Sequence, residues 1–554
     1  MKFDRRTVLA GSGLWLLAGR ALAAERRLDT VLINANVWTG DPRLPRTDAV
    51  GLAGNRIMAL GREAVDAARG PATRVIDLQG AFVCPGFMDN HTHFMIGSST
   101  LGQPDLLGAV SRSDFADRLG RAAKARPGKW ILGGSWDEQR LGGELPTRDW
   151  IDAATGDTPV AVPRTDLHMY LLNSAALKAA GITRDTPDIA GGVIGRDARG
   201  EPTGILKDNA KTLVERVIPT PSDAEREATM RAGIAHGLAR GFTQVHCPEP
   251  FDWVTYDTAR RLRLKGETDM RFYCMVPARD WEKMAAIVKA EGRGDDWVRW
   301  GAVKALADGS LGSRTALFHE HYTDAPEQVG MRVTGLADLA EQIDGADAAG
   351  LQLAIHAIGD RSNDDVLDII ANVTARRPGR DRRMRIEHAQ HLTSFAVPRF
   401  AELGVIASCQ PYHAIDDGRW AVKRIGEERL EGTYALHSLI AAGATVTFGS
   451  DWPVAPFDAI TGIQAAVTRE TIDGKNPDGW LPEQKIKAEQ ALRCYTRNNA
   501  FAGFQEDRLG LVAPGYIADL TVLDGDPTRV PEHAIKAIKP LRTIVNGTTR
   551  WQAA

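Results

Sequence analysis

The sequence predicts an α/β protein: a (β/α)8 TIM-type barrel with a small β-sandwich domain built from both chain ends. Two observations predict this fold. Between about residues 225 and 500, helical patterns alternate with short apolar runs, which is typical of a parallel sheet with helical crossovers. Residues 28–85 and 505–552 instead show short apolar runs separated by turn residues. The number of β/α alternations favours a barrel over an open sheet.

The N-terminal half of the β-sandwich is predicted over residues 24–85. Gly54-Asn55 lies between two of its apolar runs and indicates a hairpin. Residues 505–554 supply the other half, with apolar runs at 517–523 and 541–547. The N-terminal runs are Thr30–Ile33, Asn36–Thr39, Ala49–Leu52, Arg56–Leu60 and Val75–Leu78.

Residues 86–504 are assigned to the barrel. A stretch richer in Gly and Pro, at about 94–224, is interpreted as an insertion that forms a lid over the barrel mouth, and a separate third domain is the alternative. Helices are predicted at Ala224–Arg240, Leu336–Ala349 and Asp360–Arg376. Strands or apolar runs are predicted at Gly241–His246, Val298–Leu306, Leu351–His356, Met384–His388, Glu402–Ser408 and Thr445–Ser450.

The composition is that of an ordinary globular protein. The chain has 554 residues, of which 43% are hydrophobic and 25% are charged, and its formal net charge is −3. Disorder is therefore not expected, and apolar material for a large core is ample. The chain has no long basic stripe that could neutralise phosphates, so the sequence predicts no nucleic-acid partner.

Residues 1–23 have the pattern of a removable export signal. Arg5 and Arg6 precede a weakly apolar stretch, and Ala21-Leu22-Ala23 resembles a cleavage site. Because paired arginines resemble a twin-arginine signal, we expect the twin-arginine export machinery as a partner and a periplasmic or otherwise exported protein. The alternative is a membrane-anchoring helix, but the apolar stretch is far shorter than the ~20 residues that span a bilayer. No stable membrane anchor is therefore expected.

The cysteine spacing agrees with export in the folded state. The five cysteines show no C-x-x-C spacing and predict no disulfide framework. A protein that folds with its cofactor before export needs none. These residues are Cys84, Cys247, Cys274, Cys409 and Cys494.

His91 and His93 are the first candidate metal ligands. They end an apolar run at positions i and i+2, so in a strand their side chains share one face and can reach the same ion. Such a pair occurs both in catalytic zinc sites with an open position and in closed structural sites.

Further residues of ligand type end later apolar runs, where barrel active sites lie. They are Lys304, His356, His388 and Asp451. Each has a structural alternative: either histidine could be a hydrogen-bonded interior residue, and Asp451 could cap the next element. Lys304 is harder to explain structurally, because a buried ammonium is costly unless it is paired. The order of two His, Lys, two His and Asp is the ligand order of a binuclear metal hydrolase.

These segments resemble the amidohydrolase superfamily, in particular its third group, which includes N-substituted formamide deformylases. The resemblance covers nearly the whole mature chain, including the closing Gly515–Leu520. It implies that His91, His93, Lys304, His356, His388 and Asp451 are the metal ligands. The motifs that carry it are His91–His93, Val303–Ala316, His356–Asp360, Glu387–Gln390 and Gly449–Pro453.

The resemblance implies a divalent metal cofactor, with zinc as the expected ion, and leaves open one or two ions per chain and a carbamate on Lys304. The expected reaction is hydrolysis of an amide or cyclic amide C–N bond by a metal-activated hydroxide, with Asp451 as general base and then acid. His168 or Arg314 is expected to steady an oxyanion or an anionic substrate end, and Trp136 to line an apolar pocket. Their alternatives are a loop hydrogen-bond partner, a surface ion pair and a core residue, respectively.

Other readings of the same residues stay open. A lactone, an ester or a deamination substrate would need the same hydroxide. A non-catalytic periplasmic binding protein on the same scaffold is the alternative of another class, although binding alone needs no proton shuttle such as Asp451.

Overall fold

The computed structural model describes residues 27–164, 169–189, 192–312 and 314–554. The export signal predicted at residues 1–23 lies outside the described residues. Two compact units are present: one contains the described residues up to Phe94 together with Ile234–Ala554, and the other is Met95–Gly233. In the part of the chain that the structure describes, no helix is long and apolar enough to span a membrane.

Within the described residues, the strands form four sheets. In chain order they are β1 (Leu28–Ile33), β2 (Asn36–Trp38), β3 (Arg46–Thr47), β4 (Val50–Ala53), β5 (Arg56–Leu60), β6 (Arg69–Asp77), β7 (Phe82–Pro85), β8 (Phe87–Asp89), β9 (Ala161–Pro163), β10 (Met169–Leu172), β11 (Gly192–Arg196), β12 (Pro202–Asp208), β13 (Phe242–Pro248), β14 (Arg271–Pro277), β15 (Val298–Leu306), β16 (Gln352–Ala357), β17 (Arg385–His388), β18 (Ile406–Cys409), β19 (Val446–Phe448), β20 (Leu520–Leu523), β21 (Pro540–Val545) and β22 (Thr548–Gln552).

Most helices fall between consecutive strands of the barrel. The α-helices are Arg62–Ala68, Phe94–Thr100, Arg112–Ala125, Arg148–Thr155, Ser174–Ala179, Thr212–Glu215, Asp223–Leu238, Val254–Leu264, Trp281–Glu291, Leu336–Ala348, Asp360–Arg376, Ala396–Glu402, Pro411–Asp417, Ala421–Ile425, Leu436–Ala441, Ala459–Thr468, Ala488–Tyr495 and Arg497–Ala502. Short 3-10 helices lie at Glu138–Leu141, Asn209–Lys211, Ala278–Asp280, Glu428–Leu430, Pro482–Gln484 and Glu532–Ala537.

The predicted α/β barrel is confirmed. Eight parallel strands form one sheet in the order β19-β18-β17-β16-β15-β14-β13-β8. The sheet nearly closes between its first and last strands. Asn90 directly follows β8, and its backbone N–H donates to the carbonyl oxygen of Phe448, the last residue of β19, at 3.0 Å. Every residue of β13 and β14 is buried, as expected for strands covered on both faces. The strand Val298–Leu306 and the helix Asp360–Arg376 have the predicted bounds.

The two chain ends contribute to one six-stranded sheet in the order β22-β21-β20-β7-β2-β3. Within it β7 pairs antiparallel with β20, with Val83 opposite Val522. A separate four-stranded sheet has the order β5-β4-β1-β6, and Gly54 takes a φ of 57° in the turn between β4 and β5. One buried apolar cluster draws on both sheets and includes Leu32, Leu52, Val83, Leu520 and Ile544.

The unit Met95–Gly233 has its own sheet and core. Its strands follow the order β11-β12-β10-β9, and each neighbouring pair is antiparallel. The helix Arg112–Ala125 is capped by Ser111, whose side chain accepts the N–H of Asp114. Phe115, Trp150 and Val162 belong to one buried apolar cluster of this unit, and Leu172 and Leu206 belong to another. The lid role of the insertion stays a prediction.

Candidate active site

The six predicted ligands lie at or near the C-terminal ends of barrel strands, the end at which barrel active sites are built. His91 and His93 follow β8, and Asp451 follows β19. Lys304 lies within β15, His356 within β16, and His388 ends β17.

His91, His388 and Asp451 form a buried group of three. Each offers one ligand-type atom, and these atoms all lie within 4.8 Å of one another. His91 Nε2 lies 3.5 Å from Asp451 Oδ1, and His93 Nε2 lies 3.4 Å from the same oxygen. Imidazole nitrogens and a carboxylate oxygen therefore converge on one small volume inside the barrel mouth.

The orphaned atoms of this group fit a metal ion. Among the described residues, His91 Nε2 and Asp451 Oδ1 are buried and have no hydrogen-bond partner. Leaving a buried polar atom unpaired costs about 1–3 kcal/mol, so native proteins normally provide a partner. Imidazole and carboxylate are ligands of zinc and of several other divalent ions. The donor set therefore fits a divalent metal.

Three histidines of the site are oriented through their second ring nitrogen. In each case Nδ1 faces a side-chain oxygen, which fixes the proton on Nδ1 and leaves the Nε2 lone pair free to bind an ion. The pairs are His91 with Glu387 Oε2 at 2.5 Å, His93 with Glu249 Oε2 at 3.2 Å, and His388 with Gln410 Oε1 at 2.9 Å. The sequence patterns did not predict roles for Glu249 and Gln410.

Glu387 is held in its ionised form. Arg385 donates to it from Nε at 2.6 Å and from Nη2 at 3.0 Å, and the Ser408 hydroxyl donates at 2.6 Å. Burial acts to raise the pKa of Glu387, but Arg385 and Lys304 bring it below its ordinary value. Arg385 and Glu387 stand at i and i+2 of β17, and this spacing on an apolar strand is the signal that could have identified the pair.

The environment favours neutral imidazoles at most positions. Burial lowers the pKa of His91 and of His388 well below the ordinary value, and it lowers the pKa of His356 to about 3. Burial also acts to lower the pKa of His93, but its hydrogen bond to Glu249 and the charge of Asp451 raise it overall. Neutral imidazole is the form that binds metals.

Lys304 is only 2% exposed. Its burial lowers the pKa of the amine from 10.5 to about 8, against the opposing effect of the Glu387 and Asp451 carboxylates. Near neutral pH the ammonium therefore still predominates, and the neutral amine is a minor form.

His356 adjoins the group of three, but its ring is turned towards a loop. Its ring centroid lies 4.5 Å from that of His388. Its Nε2 lies 3.1 Å from Gly309 O and 3.6 Å from Asp308 Oδ1. Asp308 also accepts the backbone N–H of Leu317, and burial raises the pKa of Asp308 to about 7. In this arrangement Nε2 donates to the loop carbonyl.

The backbone around the site is unusual. His388 and Asp451 have φ values of 74° and 60°, in the left-handed region that side-chain-bearing residues seldom adopt. Such conformations persist where the surrounding structure enforces them and are common at active sites. A Cβ at Gly449 would lie 2.4 Å from the backbone nitrogen of His91, so only glycine permits β19 to approach the first histidine so closely.

The three predicted substrate residues have different outcomes. Trp136 is fully buried in the unit Met95–Gly233, where its Nε1 donates to Val162 O at 3.0 Å. Arg314 forms a bidentate ion pair with Asp324, with bonds of 3.0 and 2.9 Å. His168 lies outside the described residues. Their roles towards a substrate stay predictions.

One further histidine at the barrel mouth was missed. His413 lies on the helix Pro411–Asp417, which begins just after β18. Its Nε2 lies 3.8 Å from Asp451 Oδ2, and its ring is nearly parallel to that of His388, with an interplanar angle of 13°. Its position after the seventh barrel strand was the available signal.

A nearly closed parallel barrel with buried histidines and an aspartate at its mouth is the arrangement expected of a metal-dependent hydrolase. The chain belongs to the amidohydrolase family, whose sequence model matches residues 74–550. The resemblance inferred from the motifs is thus confirmed, and the protein is a hydrolase that acts on C–N bonds.

Named relatives match most of the chain. The chain is 37% identical over 509 residues to the protein LONG AFTER FAR-RED 3 of Arabidopsis thaliana, covering 89% of this chain and 87% of the relative. It is 29% identical over 546 residues to the N-substituted formamide deformylase of Arthrobacter pascens, covering 95% and 98%. A crystal structure of an uncharacterized metal-dependent hydrolase from Pyrococcus horikoshii OT3 aligns with a TM-score of 0.77 at 28% identity, covering 91% of this chain and 99% of that chain.

Proposed function

We propose that this protein is an exported, zinc-dependent hydrolase that cleaves an amide or cyclic amide C–N bond. The observation that carries the proposal is the pair of buried atoms His91 Nε2 and Asp451 Oδ1, which lie 3.5 Å apart without hydrogen-bond partners among the described residues. N-substituted formamides, the class in the name of one relative, are the first substrates to test.

His91, His93 and Asp451 would hold one metal ion, and His356 and His388 would hold a second. A carbamate on Lys304 would bridge the two, because the buried amine with its lowered pKa has a neutral form that can add carbon dioxide. When bound, the metal acts as a Lewis acid that lowers the pKa of water and polarises the substrate carbonyl.

Asp451 is the proposed general base. Its Oδ1 faces His91 and His93, whereas Oδ2 faces His413, so Oδ2 is the oxygen left for proton transfer. As the attacking water forms its bond to the carbonyl carbon, Oδ2 takes one proton. It then gives that proton to the leaving nitrogen as the C–N bond breaks, and an amine and a carboxylic acid result.

The test is a panel of chromogenic amides and esters, assayed with chelator and after zinc, manganese or cobalt is added. We expect amide hydrolysis that chelator abolishes and metal restores. Asp451→Asn should lower kcat at least ~100-fold, within the range of general acid–base effects. The matched control is Asp458→Asn: Asp458 caps the helix Ala459–Thr468, and its substitution should leave kcat unchanged.

The rival readings give other outcomes in the same panel. Turnover of esters or lactones without turnover of amides would favour the same site acting on C–O bonds. Silence towards every substrate with all three metals would contradict an enzyme and favour a binding protein.

We also propose that the shared six-stranded sheet and the four-stranded sheet form the β-sandwich expected for the chain ends, with the insertion at about 94–224 as a lid. The mixed apolar cluster of Leu32, Val83 and Leu520 supports the sandwich.

Export by the twin-arginine machinery is proposed from Arg5 and Arg6 together with the cleavage-site pattern Ala21-Leu22-Ala23. Replacing both arginines with lysine should retain the protein in the cytoplasm, measured by fractionation and immunoblotting. An unchanged exported yield would contradict this route.

A further inference from the structure

We infer that His413 contacts the substrate: its Nε2–H donates a hydrogen bond to the carbonyl oxygen of the scissile amide. This inference rests on the proposed function, since it assumes that an amide enters the site. It adds a residue to the site that lies outside the six predicted ligands.

The chain segment that follows β18 serves the site twice. Gln410, the first residue after this strand, faces Nδ1 of His388 at 2.9 Å. His413 lies three residues further, on the first turn of the helix Pro411–Asp417, and its ring centroid lies 6.2 Å from that of His388. The same helix start therefore orients one predicted ligand and places a second imidazole next to it.

Among the described residues, the Nε2 atom of His413 has no hydrogen-bond partner. It is buried, and no other atom of the described residues forms a hydrogen bond with it. Its 3.8 Å separation from Asp451 Oδ2 exceeds the length of a hydrogen bond. Because buried polar atoms are almost always paired, this nitrogen is expected to obtain its partner from a bound molecule.

The carboxylate of Asp451 determines whether His413 Nε2 is a hydrogen-bond donor or an acceptor. An anionic oxygen at 3.8 Å attracts an N–H and repels a lone pair, so the tautomer with the proton on Nε2 is favoured. The site then presents a donor at His413 Nε2 and an acceptor at Asp451 Oδ2, side by side.

An amide matches this pair of groups. Its carbonyl oxygen accepts only and suits His413, while its nitrogen, one carbon away, needs the proton that Oδ2 delivers. When the C–O bond forms, the carbonyl oxygen gains negative charge, and the hydrogen bond that it accepts from Nε2–H shortens while the proton remains on His413. Collapse re-forms the C=O bond and expels the amine, which takes its proton from Asp451. A donor of this kind acts mainly on kcat.

Two substitutions of His413 test the donor. His413→Gln keeps an N–H at a similar reach, whereas His413→Met keeps the approximate volume and removes it. The control is His319→Gln, since His319 is 48% exposed and pairs only with Asp364 among its described ion pairs. The assays use the zinc-loaded full-length protein with p-nitroformanilide and p-nitrophenyl formate, together with zinc per chain by elemental analysis.

For His413→Met we expect kcat to fall about 100- to 1,000-fold on both probes, with zinc per chain unchanged. His413→Gln should stay within about tenfold of the wild type, and His319→Gln should equal it. Loss of zinc in His413→Met would show that His413 is a metal ligand instead. A fall in kcat confined to p-nitroformanilide would show that His413 gives a proton to the leaving group. An unchanged kcat would show that His413 does not contact the substrate. Each of these three results overturns the inference.

Formate binding provides a readout without turnover. Formate offers carboxylate oxygens to the same donor, and its affinity for the zinc-loaded protein can be measured by calorimetry. His413→Met should weaken formate binding about tenfold, and an unchanged affinity would overturn the inference. If the wild type turns over neither probe, the proposed function fails, while the formate comparison still decides the role of His413.

Discussion

Glu387 Oε2 lies 2.5 Å from Nδ1 of His91, inside the barrel and 296 residues away along the chain. The same carboxylate is bound by Arg385, which also donates to the backbone oxygen of Asn90 at 2.6 Å. The orientation of the first predicted ligand thus depends on a buried ion pair in the sixth barrel strand.

Glu387→Gln should weaken zinc binding. The substitution keeps the shape but removes the charge that orients His91 and neutralises Arg385. We expect zinc affinity to fall about 10- to 100-fold, measured by competition with a chromophoric chelator. The free energy of unfolding should fall by about 3–5 kcal/mol, because a buried guanidinium loses its partner.

The control for that substitution is Glu506→Gln. Glu506 forms a two-bond ion pair with Arg383, but its side chain is 34% exposed and lies outside the site. Glu506→Gln should lower the free energy of unfolding by less than about 1 kcal/mol and leave zinc affinity unchanged. Equal zinc affinity of wild type and Glu387→Gln would contradict an orienting role for Glu387.

Lys304→Ala should lower metal content and activity together, because the proposed bridge between the two ions is lost. A small carboxylic acid added with bicarbonate should partly restore both, since it supplies a bridging carboxylate. Elemental analysis and amide turnover are the measurements, and Lys423→Ala, at an exposed position, is the control. Two metals per chain with near-normal turnover would contradict a bridging role for Lys304.

Asp347 should stabilise the barrel in a pH-dependent manner. Its buried carboxylate pairs with Arg377, Arg380 and Arg382, each at 2.8 Å. Burial acts to raise the pKa of Asp347, but the arginines hold it below its ordinary value of 3.8. Because the folded-state pKa is depressed, the stabilisation is complete well above pH 3.8 and disappears as the pH falls through the folded-state pKa.

At pH 7, Asp347→Asn should lower the free energy of unfolding by about 3 kcal/mol. The difference from the wild type should shrink below about pH 4, measured by urea denaturation at several pH values. Asp344→Asn is the control. Because the side chain of Asp344 is 35% exposed, this substitution should lower the free energy of unfolding by less than about 1 kcal/mol. A difference that stayed constant with pH would argue against charge as its source.

Deletion of residues 505–554 should cause aggregation. It removes β20, which pairs with β7, and so exposes an unpaired apolar edge at Val83. It also removes Asp519, the partner of the buried Arg271 at 2.6 Å. Light scattering and zinc content of the truncated protein are the measurements. A soluble truncation with full zinc content would show that the two chain ends are independent.

Local sequence determined most elements of the barrel, although the strand Arg271–Pro277 was not predicted. The helical period of residues 360–376 and the apolar run of residues 298–306 predict a helix and a strand, and both have the predicted bounds. The position of His388 and Asp451 at strand ends was likewise readable, because parallel strands bring their C-terminal ends to one edge. The bulk of the barrel and the location of the site follow from these local patterns.

Tertiary structure alone decided how the site residues are used. Glu249 and Gln410 orient His93 and His388 from other strands, and His356 turns Nε2 towards Gly309 O. The spacing of residues along a strand predicts which face of the sheet a side chain lies on. It does not predict which atom of another strand that side chain contacts. Those contacts arise only when the barrel closes, because closure sets the distance between strands and burial then selects the ring orientation that leaves the fewest polar atoms unpaired.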